Sequence, residues 1–132
     1  MFGYCIWLEV PCLYNYVINY AIKHNGEFFY PHMSIITKLK TREDALEHLD
    51  KRYYFSNELI LGEPYITSEN NFHVIQCDIL EHPNKHISIA YRYDEKWTQK
   101  ELDDCNPPKV VKGVKISAWY CNDIVSKWYK IL

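Results

Sequence analysis

Two stretches of this chain carry the same short pattern, and that repetition constrains the fold more than any other feature. Pro31-His32-Met33-Ser34-Ile35-Ile36-Thr37-Lys38-Leu39 and Lys85-His86-Ile87-Ser88-Ile89-Ala90-Tyr91-Arg92-Tyr93-Asp94 are both rich in Ile, Tyr and Thr, the composition of β-strands. In each, a histidine enters first and a serine follows two residues later. Strand side chains alternate between faces, so His32, Ser34, Ile36 and Lys38 are expected on one face. His86, Ser88, Ala90 and Arg92 are expected on the corresponding face of the other strand. Each column then reads imidazole, hydroxyl, apolar group, cation.

The remaining elements build a frame around these two strands. Phe2 to Val10 is an apolar, aromatic run closed by Pro11 and reads as a largely buried strand. Leu13, Tyr16, Val17, Tyr20, Ala21 and His24 recur at helical spacing, and Asn25-Gly26 supplies a stop. A strand is expected from Phe28 to Leu39, then a helix opened by Thr41-Arg42-Glu43-Asp44 and running to Lys51. Tyr53 to Glu63 holds a strand around Glu58-Leu59-Ile60-Leu61. Gly62, Pro64 and Ser68-Glu69-Asn70-Asn71 then read as turn chemistry. Phe72 to Leu80 alternates as a half-buried strand leading into the His86 strand. Thr98-Gln99-Lys100-Glu101 fits a capping box for a short helix to Cys105. Val110 to Tyr120 and Ile124 to Leu132 are strand-like, with a hairpin turn at Asn122-Asp123. In each half, therefore, a His-x-Ser strand is followed by a Thr-capped helix, and two such units can pair around an approximate two-fold axis. With no linker or low-complexity segment, the 132 residues are expected to form one domain.

Bulk properties narrow the function. A net charge of −2 with no Lys or Arg run argues against a protein that lives on duplex nucleic acid. No apolar run of about 18 residues is present to cross a bilayer, and the amino terminus lacks the pattern of a signal peptide. The five cysteines are scattered without a C-x-x-C pair, as in reduced thiols of an intracellular protein, so no metal site or cofactor is expected. The expectation is a cytoplasmic monomer with no membrane partner.

Paired imidazoles have an evident use. Cleaving a phosphodiester takes a base for the attacking hydroxyl or water and an acid for the leaving oxygen, and two histidines can serve both roles near neutral pH. The serine hydroxyls, with Lys38 and Arg92, can contact the phosphoryl oxygens. Tyr91, Tyr93 and Trp97 stand just beyond the second motif, where a base could stack on them. Trp7 reads as core, Cys5 and Cys121 as buried strand positions, and His24 as a partner for a helix C-terminus. His48, His73 and His82 are assigned no chemistry.

The double His-x-Ser pattern, with apolar neighbours and the second motif His86-Ile87-Ser88-Ile89-Ala90-Tyr91, resembles the two-histidine (2H) phosphoesterases. The likeness extends over most of the chain in element order. It implies an α+β, bilobal fold with two pseudo-symmetric antiparallel sheet lobes and flanking helices around a central cleft. It also implies that His32, Ser34, His86 and Ser88 form a metal-independent catalytic set. The substrate class implied is a small nucleotide carrying a 2′-5′ linkage, a cyclic-dinucleotide linkage or a 2′,3′-cyclic phosphate. Some family members serve viruses by destroying host signalling nucleotides, and a compact chain suits that use. The alternative is a nucleotide- or RNA-end-binding module without turnover.

Overall fold

The computed structural model describes residues 2–50, 58–122 and 124–132. Among these residues the fold is α+β, with three α-helices, a seven-stranded antiparallel sheet and a separate two-stranded sheet. In chain order the elements are β1 (Tyr4–Glu9), α1 (Tyr14–His24), β2 (His32–Leu39), α2 (Arg42–Leu49), β3 (Glu58–Ile60), β4 (Tyr65–Glu69) and β5 (Phe72–Asp78). They continue with β6 (His86–Tyr93), α3 (Gln99–Asp103), β7 (Val110–Lys112), β8 (Lys115–Tyr120) and β9 (Tyr129–Lys130). The large sheet runs β4-β5-β6-β2-β1-β8-β9, so the two His-x-Ser strands are neighbours at its middle. β3 and β7 form the small sheet.

Local chemistry explains most element ends. Thr41 caps α2 by accepting a hydrogen bond from the Asp44 amide at 3.1 Å. Thr98 and Glu101 form the reciprocal capping box of α3. Asn25 ends α1 in the left-handed region, with its amide bonded to the Ala21 carbonyl.

Four expectations change. The strand expected from Phe28 begins only at His32. Tyr65–Glu69 is a strand that takes in Ser68 and Glu69 of the expected turn and pairs with β5 across Asn70, whose positive φ makes the tight reversal. The stretch Val110–Tyr120 is two strands, because at Gly113 the chain leaves the small sheet and passes close over Leu8. A Cβ there would lie 2.4 Å from a Leu8 methyl. Ile124 to Leu132 holds a 3-10 turn at Val125–Lys127 and only a two-residue strand. Lys51, the expected strand portion 53–57 and Asp123 lie outside the described residues.

The large sheet separates two clusters of buried side chains. Along β1, Ile6 and Leu8 belong to the main core, whereas Cys5 and Trp7 belong to a smaller cluster with Trp119 and Cys121. Alternation places these two pairs on opposite faces. The main core also takes Leu13, Val17, Met33, Ala45, Ile75, Ile87 and Ile89. Each such fully buried side chain contributes about 1.5–3 kcal/mol. α1 packs on β6, and α2 packs on β1, β2 and β8.

An ion-pair staple ties α1, β6 and α3 together. Buried Arg92 donates to both carboxylate oxygens of Glu101, at 3.1 and 2.5 Å, and to the His24 carbonyl at the end of α1. Its guanidinium lies 3.8 Å over the Trp97 ring. Burial pushes the Glu101 carboxyl up, but the hydrogen bonds from Arg92 and Thr98 outweigh it and hold the group at about 2.

Candidate functional site

The strands β2 and β6 meet through one bridging pair, Met33 opposite Ile87. Extending this antiparallel register one residue each way sets His32 opposite Ser88 and Ser34 opposite His86. One step further, Ile35 falls opposite Lys85, and the Lys85 Nζ donates to the Ile35 carbonyl at 2.9 Å. The four motif side chains therefore share a face. The two histidines are diagonal neighbours, roughly 7–8 Å apart at the backbone, within reach of one tetrahedral group. All four line one cavity of about 310 Å³.

Beyond each serine the expected columns break at one extra residue, and β2 has a second register shift further on, between Ile6 and Tyr4 of β1. β1 pairs Trp7 with Ser34 but Ile6 with Ile36, leaving Ile35 as an extra residue in β2. β5 pairs Gln76 with Ser88 but Ile75 with Ala90, leaving Ile89 extra in β6. A bulge residue shifts the following side chains to the opposite face. Thr37 and Tyr91 consequently join the cavity, while Ile36, Ala90 and Arg92 turn away from it. The expectation that His32, Ser34, Ile36 and Lys38 share a face, with its counterpart in β6, is corrected accordingly.

The remaining site expectations fare unevenly. Lys38 has a positive φ and lines a separate groove with Gly3, Tyr4 and Asn122. Arg92 and Trp97 are spent on the staple, with the Trp97 Nε1 donating to the His73 carbonyl at 3.1 Å. Tyr93 stacks on Phe72, and its hydroxyl accepts from the Val125 amide at 3.1 Å. Of the five binding residues expected, only Tyr91 lines the cavity.

His32 is held from two sides. Its ring lies flat on Trp7, with centroids 3.3 Å apart and planes within 5°. Trp7 in turn stacks on Trp119 at 4.3 Å. The His32 Nδ1 is 2.7 Å from the Tyr30 carbonyl. A carbonyl can only accept, so the ring proton sits on Nδ1, and Nε2 is the lone-pair nitrogen. Burial pushes the imidazole down to about 3, partly opposed by the Tyr30 hydrogen bond, and a charge on His86 lowers it further. His32 is thus held as a neutral imidazole in one orientation and one tautomer.

His86 has a different setting. It is exposed at the cavity mouth and pairs across the strands with Asp78. Burial by its surroundings lowers its pKa, and the Asp78 carboxylate opposes that shift by favouring the imidazolium. Asp78 is itself oriented: the Tyr65 hydroxyl donates to it at 2.6 Å, and Gln76 donates to Tyr65 at 2.9 Å. Of the two imidazoles, His86 has the easier access to a proton.

The sequence reading missed much of the lining: Thr37, Thr67, Glu69, Phe72 and Gln76, together with the ring platform of Trp7 and Trp128. The apolar doublets Ile35-Ile36 and Ile89-Ala90, one after each serine, were the available signal of the bulges. No such signal marks the β4 and β5 residues, which arrive through sheet order. Among the described residues no Lys or Arg lines the cavity. Among the described residues no group of three or more His, Cys, Asp or Glu is arranged to hold a metal ion. Nor is any helix among them long and apolar enough to cross a membrane. Comparison with protein-family models and with curated proteins gives no match.

Proposed function

We propose that this chain is a metal-independent phosphodiesterase of the two-histidine type, acting on a small nucleotide in the cytoplasm as a monomer. The observation that carries the reading is the crossed arrangement at the centre of the sheet, His32 opposite Ser88 and Ser34 opposite His86, all four lining one cavity. His32, neutral and with Nε2 free, takes the proton of the attacking oxygen. His86, charged with help from Asp78, gives a proton to the leaving oxygen. The Ser34 and Ser88 hydroxyls donate to the non-bridging oxygens as charge builds there. In a 2′-5′ or cyclic-dinucleotide linkage the attacking group is the neighbouring ribose hydroxyl. In a 2′,3′-cyclic phosphate it is water.

On this reading the sheet is two lobes, β4-β5-β6 and β2-β1-β8-β9, meeting at the Met33–Ile87 bridge and bulged alike after each serine. A role in countering a nucleotide messenger fits the small cleft and is part of the proposal.

The test is a substrate panel run with EDTA present. Incubation with 2′,3′-cyclic nucleotides, 2′-5′ oligoadenylate and cyclic dinucleotides should yield chromatographically distinct products from at least one class, at a rate EDTA leaves unchanged. Saturable binding without products would reduce the chain to a binding module, and absence of both would end the proposal.

A further inference from the structure

The cleft is polarised along its strands. Its catalytic end lies at the paired residues Gln76 and Ser88, and its other end at Phe72, paired with Tyr93. Four residues of β5 separate the ends, about 13 Å at roughly 3.3 Å per residue. Phe72 stacks on Tyr91 with parallel rings at 5.2 Å, and Phe2 closes over it at 6.4 Å. Phe72 also stacks on Tyr93, and this half-buried ring cluster keeps a surface toward the cavity against which a base can pack; such stacking tolerates any base.

Selectivity therefore has to come from polar groups at this end. β4 supplies Glu69 opposite Phe72, and both line the cavity. The Glu69 carboxylate makes no hydrogen bond or ion pair among the described residues, and no Lys or Arg among them lines the cavity beside it. An ionised carboxylate only accepts hydrogen bonds and repels phosphate. It suits a ligand edge rich in N–H donors, at the far end from the phosphoryl group.

We infer that the Phe72 end of the cleft is a guanine subsite, with the Glu69 carboxylate accepting the base's adjacent N1–H and N2–H. This rests on the nucleotide reading of the cleft. Guanine presents two parallel donors that match two carboxylate oxygens, the geometry that makes Arg–carboxylate pairs strong. Adenine presents one amino group beside an acceptor nitrogen, which faces the carboxylate with like polarity. Cytosine does the same, and uracil offers one N–H between two carbonyls.

Calorimetric binding of guanosine, inosine and adenosine 2′-monophosphates tests the subsite, with turnover of the three 2′,3′-cyclic phosphates in parallel. Inosine keeps N1–H and lacks the 2-amino group. Guanosine should bind about tenfold or more tighter than adenosine, with inosine between them. Glu69→Ala, at an exposed strand end, should bring the three within about twofold. Equal binding of guanosine and adenosine by the wild type, or a guanosine preference that survives Glu69→Ala, overturns the subsite. Turnover without base preference sinks the subsite and keeps the hydrolase. The binding order without turnover keeps the subsite and restricts the hydrolase to the 2′-5′ and cyclic-dinucleotide linkages. No binding by any of the three nucleotides overturns the subsite.

Discussion

His32→Ala should lower kcat by about 10²–10⁴-fold, the range for removing a positioned general acid or base. His86→Ala should cost a similar factor. Circular dichroism of the His86 variant should match the wild type, because His86 lies exposed at the cavity mouth. The two histidines should also leave different marks on the pH profile. In the free protein His32 stays neutral down to about pH 3, so it is ready as a base through the mildly acidic range. His86 must be protonated to act, and its pKa lies below the ordinary histidine value near 6.5. The sign follows: kcat/KM should rise as pH falls through the His86 pKa and decline on the alkaline side, with an optimum below neutrality. His86→Ala should remove that alkaline limb. A profile centred above pH 7 would contradict the account.

Trp7→Ala should cost about 3–5 kcal/mol of stability, the range for truncating a large buried aromatic side chain. Trp7 is 1% exposed and touches Trp119, Trp128 and His32 at once. Its loss opens a cavity beneath the site and removes the surface that holds the His32 ring flat. Since domains are stable by only about 5–15 kcal/mol, urea unfolding should show a large drop in midpoint. Trp7→Phe keeps a ring under His32 and should retain most of the activity. If Trp7→Ala unfolds at the wild-type urea concentration, the ring stack carries no such weight.

The part of the site legible in the sequence is the part decided over two residues. His32 with Ser34, and His86 with Ser88, share a face because alternation needs no longer-range information. The capped starts of α2 and α3 were readable for the same reason, since Thr41 and Thr98 act within one turn. Alternation extended past the serines failed because Ile35 and Ile89 are extra residues in their ladders. That misplaced Arg92, whose guanidinium serves α1 and α3 on the other side of the sheet. Tyr65–Glu69 was hidden because five strand residues between Pro64 and an Asn-Asn reversal look like a turn cluster. Glu69, Gln76 and Trp7 reach the cavity through sheet order, a tertiary property that no local spacing encodes.

The central claim is that His32 and His86 act together on one phosphoryl group. Nitrogen-15 NMR of the imidazole rings during titration with guanosine 2′-monophosphate tests it most directly. In the free protein His32 should report the tautomer with its proton on Nδ1. As nucleotide is added, the Nε2 signals of His32 and His86 should both shift, with one shared saturation curve. A response confined to one imidazole, or none at saturating nucleotide, would contradict the account.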